Sequence, residues 1–171
     1  DFEVLFGAGI ASYQLDKINE PVDYFRDALA LDTRSDISNL AMAFALRRKR
    51  DFKIALNYAR LIIDGTGDET ARFVATRLYG ILCVQAKKPA EGVSMLEMIL
   101  EYARKNEMTD EIAILLYDLG FACLHAETPD RAYDYWNQLY QIDRSFKNIQ
   151  CLVTQLRKDT DASVRTGSRP D

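Results

Sequence analysis

Glycine and proline are scarce in this sequence, 8 and 4 among 171 residues. That scarcity excludes a fold of many short strands joined by tight turns, and few breaks mean long regular elements. Histidine occurs once, at His125, which rules out a metal site built from several imidazoles. The three cysteines, Cys83, Cys123 and Cys151, form no C-x-x-C pair and are odd in number. They are not a disulfide framework, and they favour a reducing compartment. No stretch approaches the roughly 20 apolar residues that cross a bilayer, and residues 1–15 lack the basic start and cleavage pattern of a signal peptide. A basic excess is also missing, since 22 Lys and Arg stand against 26 Asp and Glu for a formal charge of −4. General affinity for nucleic acid needs a basic surface that displaces counterions from phosphates, so neither nucleic acid nor direct membrane insertion is expected.

What is present is core-forming material, with 48% hydrophobic residues, 8 Phe, 9 Tyr and 1 Trp. It is arranged with a period. Segment 22–32 reads V-D-Y-F-R-D-A-L-A-L-D, and segment 132–143 reads A-Y-D-Y-W-N-Q-L-Y-Q-I-D. Each places an aromatic, then a small or apolar residue three on, and closes on an apolar–Asp pair. Upstream of such runs a small residue recurs at Gly9, Ala43, Gly80 and Gly120, at intervals that lengthen only slightly along the chain. Pro21, Pro89 and Pro129 each stand at the start of an amphipathic run, where a missing N–H costs nothing. Asn19 and Thr128 beside two of them are expected N-caps.

These residues resemble the tetratricopeptide repeat (TPR) family, in which helix A carries a large apolar residue and a small pair, and helix B an Ala–aromatic–Ala series. The matching residues are Leu5, Ala8, Gly9, Phe25, Ala28, Leu31 and Asp32 in repeat 1, and Met42, Ala43, Leu46, Phe52, Ala55 and Ile62 in repeat 2. Repeat 3 supplies Tyr79, Gly80, Val93, Leu96 and Ile99, and repeat 4 Leu116, Leu119, Gly120, Ala132, Trp136, Leu139 and Asp143. The step from Gly9 to Ala43 is the family's own period, and the later steps are that period with short insertions. Pro21 and Gly92 depart from the Ala that helix B usually carries, and no repeat closes on the usual Pro.

The resemblance implies an all-α, right-handed α-solenoid of about four TPR-like hairpins plus a C-terminal capping helix. Helices are expected at 2–15, 20–32, 36–48, 51–64, 69–87, 89–105, 109–126 and 129–142. A capping helix over 146–158 would carry Phe146, Ile149, Leu152, Val153 and Leu156. The domain then spans 2–158, with repeats at 2–35, 36–68, 69–108 and 109–145, and residues 159–171 form a disordered tail. The chain opens on Asp1 rather than Met, as a piece of a longer protein would. The cysteine usage favours the cytoplasm, and a preceding segment would leave an envelope or periplasmic setting open.

In that family the A helices line a ligand groove. The corresponding positions are Phe6, Ile10 and Tyr13, then Leu40, Phe44 and Arg47. Repeat 3 gives Arg77, Ile81 and Val84, and repeat 4 gives Tyr117, Phe121 and Leu124. Relatives that clamp a terminal carboxylate place Asn where this chain has Ile10, Phe44, Ile81 and Phe121, so that clamp is not expected. The expected function is a protein-interaction module taking a partner helix or apolar peptide. The alternative is a structural subunit that oligomerises or packs permanently through the same face.

Other features read as structural. The basic run Arg47-Arg48-Lys49-Arg50, with Lys53 nearby, reads as a solvated turn, echoed by Lys87 and Lys88. Cys83 and Cys123 read as small packing residues. G-T-G at 65–67 is a loop, not a phosphate cradle, and no nucleophile-elbow motif accompanies His125. No cofactor, metal or catalytic residue is expected.

Overall fold

The computed structural model describes residues 1–166, with side chains described to residue 158. Among these residues there are nine helices and no strand: α1 (Phe2–Gln14), α2 (Glu20–Leu31), α3 (Asp36–Lys49), α4 (Phe52–Gly65), α5 (Glu69–Gln85), α6 (Pro89–Lys105), α7 (Thr109–His125), α8 (Pro129–Ile142) and α9 (Ile149–Thr166). The first eight end close to where the apolar periodicity places them. The chain divides into two compact units, Asp1–Met95 and Leu96–Asp171, with the division inside α6.

In unit 1 the hairpins α1–α2 and α3–α4 pack internally, and α2 packs on α3 and α4 on α5. Each hairpin closes on one pair of facing positions. A Cβ at Gly9 would lie 2.4 Å from Cε1 of Phe25, so the ring of α2 fills the space that glycine leaves on α1. At the equivalent positions of the next hairpin, Ala43 and Ala59 are both fully buried, two medium-small residues in place of one absent and one large. Gly92, a departure from the repeat pattern, has a specific cause: a Cβ there would lie 2.6 Å from the carbonyl oxygen of Gly80. The start of α6 therefore meets α5 backbone to backbone. Leu31, matched to the repeat pattern, closes α2 on the outside at 58% exposure.

Unit 2 repeats the device in its most extreme form. A Cβ at Gly120 would lie 1.9 Å from Nε1 of Trp136, and the indole donates to the carbonyl of Tyr117 at 3.1 Å. Leu96, Leu100, Leu116, Leu119, Leu139 and Ile149 complete this core and are buried.

The turns that follow helices α1, α3, α5 and α7 share one construction. Asp16, Arg50, Lys87 and Glu127 have φ of 57°, 69°, 62° and 58°, and they recur in step with Gly9, Ala43, Gly80 and Gly120. The next N–H reaches back over the helix end in each case: Lys17 to Ser12, Asp51 to Leu46, Lys88 to Cys83 and Thr128 to Cys123, at 3.1, 2.9, 2.8 and 2.9 Å. This is the Schellman closure, which satisfies helix-end carbonyls through one left-handed residue. Helices α2, α4 and α8 end instead on extended residues, Asp32, Thr66 and Asp143.

Two expectations are corrected. Asn19 and Thr128 hold the N-cap positions of α2 and α8, but neither side chain caps its helix. The Thr128 hydroxyl donates back to the Cys123 carbonyl at 3.0 Å, and Pro21, the second residue of α2, lacks an N–H that an Asn19 cap would have served. Side-chain caps are made instead by Asp1, Ser35 and Asp68 on α1, α3 and α5. The last helix begins at Ile149, not 146, because Asp143 accepts from the Ser145 N–H at 2.8 Å and holds residues 143–148 in a turn. Its backbone continues to Thr166, past the expected end at 158, and no glycine or proline interrupts it before Gly167. Residues 167–171 of the expected tail lie outside the described residues.

Candidate partner-binding surface

In unit 1, α1 touches α3 and α3 touches α5, while α2 and α4 make no comparable contact among the described residues. The A helices are drawn together and the B helices splayed, so the A-helix side is the inner face of this unit. Phe6, Ile10, Tyr13, Leu40 and Phe44 all sit there, half-buried and backed by the core of Phe25, Met42 and Leu46. Arg47, Arg77, Ile81 and Val84 continue the face and are half-buried too. None of these side chains is fully withdrawn from solvent.

The polar members are already engaged. Arg47 Nε donates to Oε1 of Gln85 at 3.0 Å, which ties α3 to α5. The next residue, Arg48, lies with its guanidinium 3.6 Å from the centre of the Tyr13 ring. It also donates to the Tyr13 carbonyl and pairs with Asp16 at 3.3 Å. Lys49 pairs with Asp51 at 3.5 Å, and Arg50 is the left-handed turn residue. Arg47 and Arg48 are thus spent on joining repeats, which no local pattern in the sequence reveals.

On α7 of unit 2 the three expected positions differ from one another. The Tyr117 ring has Phe146 at 5.6 Å and the Lys147 ammonium at 4.2 Å, and its hydroxyl donates to Oδ1 of Asn148 at 3.0 Å. The turn before α9 therefore covers it. Phe121 packs edge-on to both Tyr117 and Trp136, at 5.0 and 4.9 Å, yet it and Leu124 remain 37% and 36% exposed. Phe146, assigned from its spacing to the capping helix, instead belongs to this cover.

Away from that face, Arg60 donates to the Tyr79 hydroxyl at 2.7 Å, and Tyr79 donates to Oε1 of Glu91 at 2.9 Å. The donated phenol hydrogen holds the Glu91 carboxyl below the usual carboxylate range. Burial pushes the Cys83 thiol up to about 11 and raises that of Cys123; both are free and buried, the opposite of what a reactive thiolate needs. Among the described residues, no group of three or more His, Cys, Asp or Glu side chains gathers as a metal-ligand set, and no helix is long and apolar enough to cross a membrane.

The hairpins, their period and their small-against-large closure define an all-α helical-repeat solenoid. No family model and no curated protein matches the sequence, but solved structures match the fold. The chain is similar to the apo form of RapI, with a TM-score of 0.81 at 8% identity over 94% of this chain and 64% of RapI. It is similar to MamA RS-1, solved as the ArsTM double mutant, with a TM-score of 0.77 at 14% identity over 94% of this chain and 85% of MamA. It also matches the nearly identical TPR-like repeats of a putative kinesin light chain from Podosopora anserina, with a TM-score of 0.71 at 13% identity over 96% of each chain. The chain therefore has a TPR-like helical-repeat fold.

Proposed function

We propose that this chain is a protein-interaction module that binds an amphipathic helix or apolar peptide on the A-helix face of unit 1. The observation that carries this reading is the half-buried row Phe6, Ile10, Leu40 and Phe44, backed by a packed core, with Ile81 and Val84 of α5 half-buried as well. Apolar side chains held rigidly at a surface are what a helix-in-groove partner requires, because they add burial with little ordering cost. Ile10, Phe44 and Ile81 offer no side-chain donor to a terminal carboxylate, so recognition rests on apolar burial. Arg47 and Arg77 at the edge would orient a partner with acidic residues. Phe121 and Leu124 offer a second, smaller apolar contact on α7. The module binds and presents; catalysis is not part of the reading.

A permanently packed subunit is the second reading. What supports it is that Tyr117, an expected groove position on α7, is already covered by the chain's own turn.

Affinity capture with wild type, Phe44→Asp and Ile81→Asp tests the proposal, with far-UV circular dichroism as a control. The expected result is loss of retained partner by tenfold or more, about 1.4 kcal/mol, at unchanged helicity. Recovery of the same partners by all three proteins overturns it. Unfolding of the variants assigns the face to self-packing instead.

A further inference from the structure

The turns at the C-terminal ends of α1, α3 and α5 lie side by side along one edge of unit 1. Arg48 reaches from the second turn to the Tyr13 ring and Asp16 of the first, and Arg47 reaches Gln85 beside the third. Over residues 14–20, 47–54 and 85–91 these turns carry eight Lys and Arg side chains against four carboxylates. Each carboxylate pairs with one of those cations: Asp16 with Arg48, Glu20 with Lys17, Asp51 with Lys49 and Glu91 with Lys88, at 3.3–3.5 Å. Four cations are left over. Among the described residues no carboxylate pairs with Arg47, Arg50, Lys53 or Lys87, and the last three are exposed. The opposite edge has the reverse sign, because turns 32–36 and 64–69 hold Asp32, Asp36, Asp64, Asp68 and Glu69 against Arg34 alone. At the basic edge stand two exposed apolar residues as well, Ile54 in the first turn of α4 at 50% and Ile18 at 55%.

We propose that this edge docks unit 1 on an anionic lipid surface. Arg47, Arg50, Lys53 and Lys87 face the headgroups, and the two isoleucines enter the boundary between headgroups and acyl chains. The side chain of Ile54 leans towards the N-terminus of its helix, and so towards this edge. A chain of net charge −4 can bind such a surface because its charges are separated. The acidic edge lies a helix length away, about 20 Å, whereas charges in physiological salt are felt over about 8 Å. The membrane therefore attracts the near edge and hardly senses the far one, which also fixes the orientation of the unit. Nucleic acid fits less well, since such binding commonly neutralises roughly 6–10 phosphates and has no use for exposed isoleucines. An acidic peptide would match the charge and leave the isoleucines in water. A row of turn tips that joins both chemistries suits a lipid surface. No helix enters the bilayer in this arrangement. The edge is distinct from the inner face of Phe44 and Ile81, and the proposal does not rest on the function given above.

Cosedimentation with vesicles tests it, comparing phosphatidylcholine alone with equal parts of phosphatidylcholine and phosphatidylserine. Wild type is expected to bind the anionic vesicles, to leave the neutral ones, and to bind more weakly as salt rises. Lys53→Glu combined with Lys87→Glu should weaken binding tenfold or more at unchanged helical circular dichroism. The turn accepts the second change, because Glu127 holds the same left-handed conformation at the equivalent position. Ile54→Ser should weaken binding severalfold and leave its salt dependence as it is. Phe44→Asp should bind as wild type does. Equal binding to both vesicles, or anionic binding that survives the double charge reversal, overturns the proposal. A wild type that ignores both vesicles but binds a polyglutamate peptide also overturns it, and assigns the edge to an acidic protein segment.

Discussion

The indole of Trp136 occupies the space that a side chain at position 120 would need, with its Nε1 only 1.9 Å from where a Cβ on Gly120 would stand. The ring is 1% exposed and its N–H is fixed to the Tyr117 carbonyl, so it cannot swing aside. Gly120→Ala is therefore expected to destabilise unit 2 by about 2–3 kcal/mol through overpacking. Trp136→Leu alone leaves a cavity and should cost about 2–4 kcal/mol. Combined, the two should cost less than their sum, because the smaller side chain makes room for the added methyl. Trp136 is the only tryptophan, so its fluorescence follows the unfolding of this unit directly. Additive losses in that assay would show that the two side chains do not compete for one space.

The left-handed residues at the A–B turns carry a cost that glycine would not. Lys87 holds φ at 62°, where a Cβ crowds the following carbonyl. Replacing it with Gly relieves that crowding and loses part of the gain to the freer unfolded chain. The net expectation for Lys87→Gly is a stabilisation of about 0.5–1 kcal/mol, read as a raised urea midpoint at unchanged slope. The same change at Arg50, which holds φ at 69°, should gain as much.

How much of this was legible in the sequence follows from which interactions are local. Gly9, Ala43, Gly80 and Gly120 mark the hairpins because close approach demands a small residue whatever surrounds it. The helix ends followed from apolar periodicity and three prolines. The turns between helices were not legible as a repeat, since Asp16, Arg50, Lys87 and Glu127 share a backbone conformation and no side-chain chemistry. Phe146 misled because it continues the spacing of α9 while the Asp143–Ser145 turn holds it outside the helix. At the candidate surface, the apolar positions proposed for unit 1 come from the repeat register. The partners of Arg47 and Arg48 were not, because Gln85 and Tyr13 lie a whole repeat away in the chain.

Ser38 gives a test of polar burial inside unit 1. Its hydroxyl is fully buried between repeats and has no hydrogen-bond partner. A buried polar atom without a partner forfeits its hydration for nothing. Ser38→Ala keeps the backbone N–H that donates to the Ser35 hydroxyl at 3.3 Å and removes only the orphan oxygen. A stabilisation of about 1 kcal/mol is expected in thermal or denaturant unfolding. A loss of stability would mean that the hydroxyl has a partner after all, such as a buried water.

Alkaline pH should weaken the fold more than its acidic composition suggests. Burial raises the Cys83 thiol from near 9 to about 11 and pushes Cys123 and the phenols of Tyr79 and Tyr135 in the same direction. The sign follows from which state holds its proton longer. The unfolded chain releases a thiol proton near pH 9, whereas the folded chain keeps it until about 11. Stability is thus fully present below pH 9 and declines across the interval between them, because ionisation then favours the unfolded state. Thermal midpoints should stay level from about pH 6 to 8 and fall steadily from about pH 9 to 11. Cys83→Ala, which preserves a small apolar residue at the site, should make that fall shallower while costing some stability at neutral pH through the lost sulfur contacts. An unchanged slope in Cys83→Ala would assign the alkaline loss to Cys123 and the tyrosines, which Cys123→Ala and Tyr79→Phe would then separate.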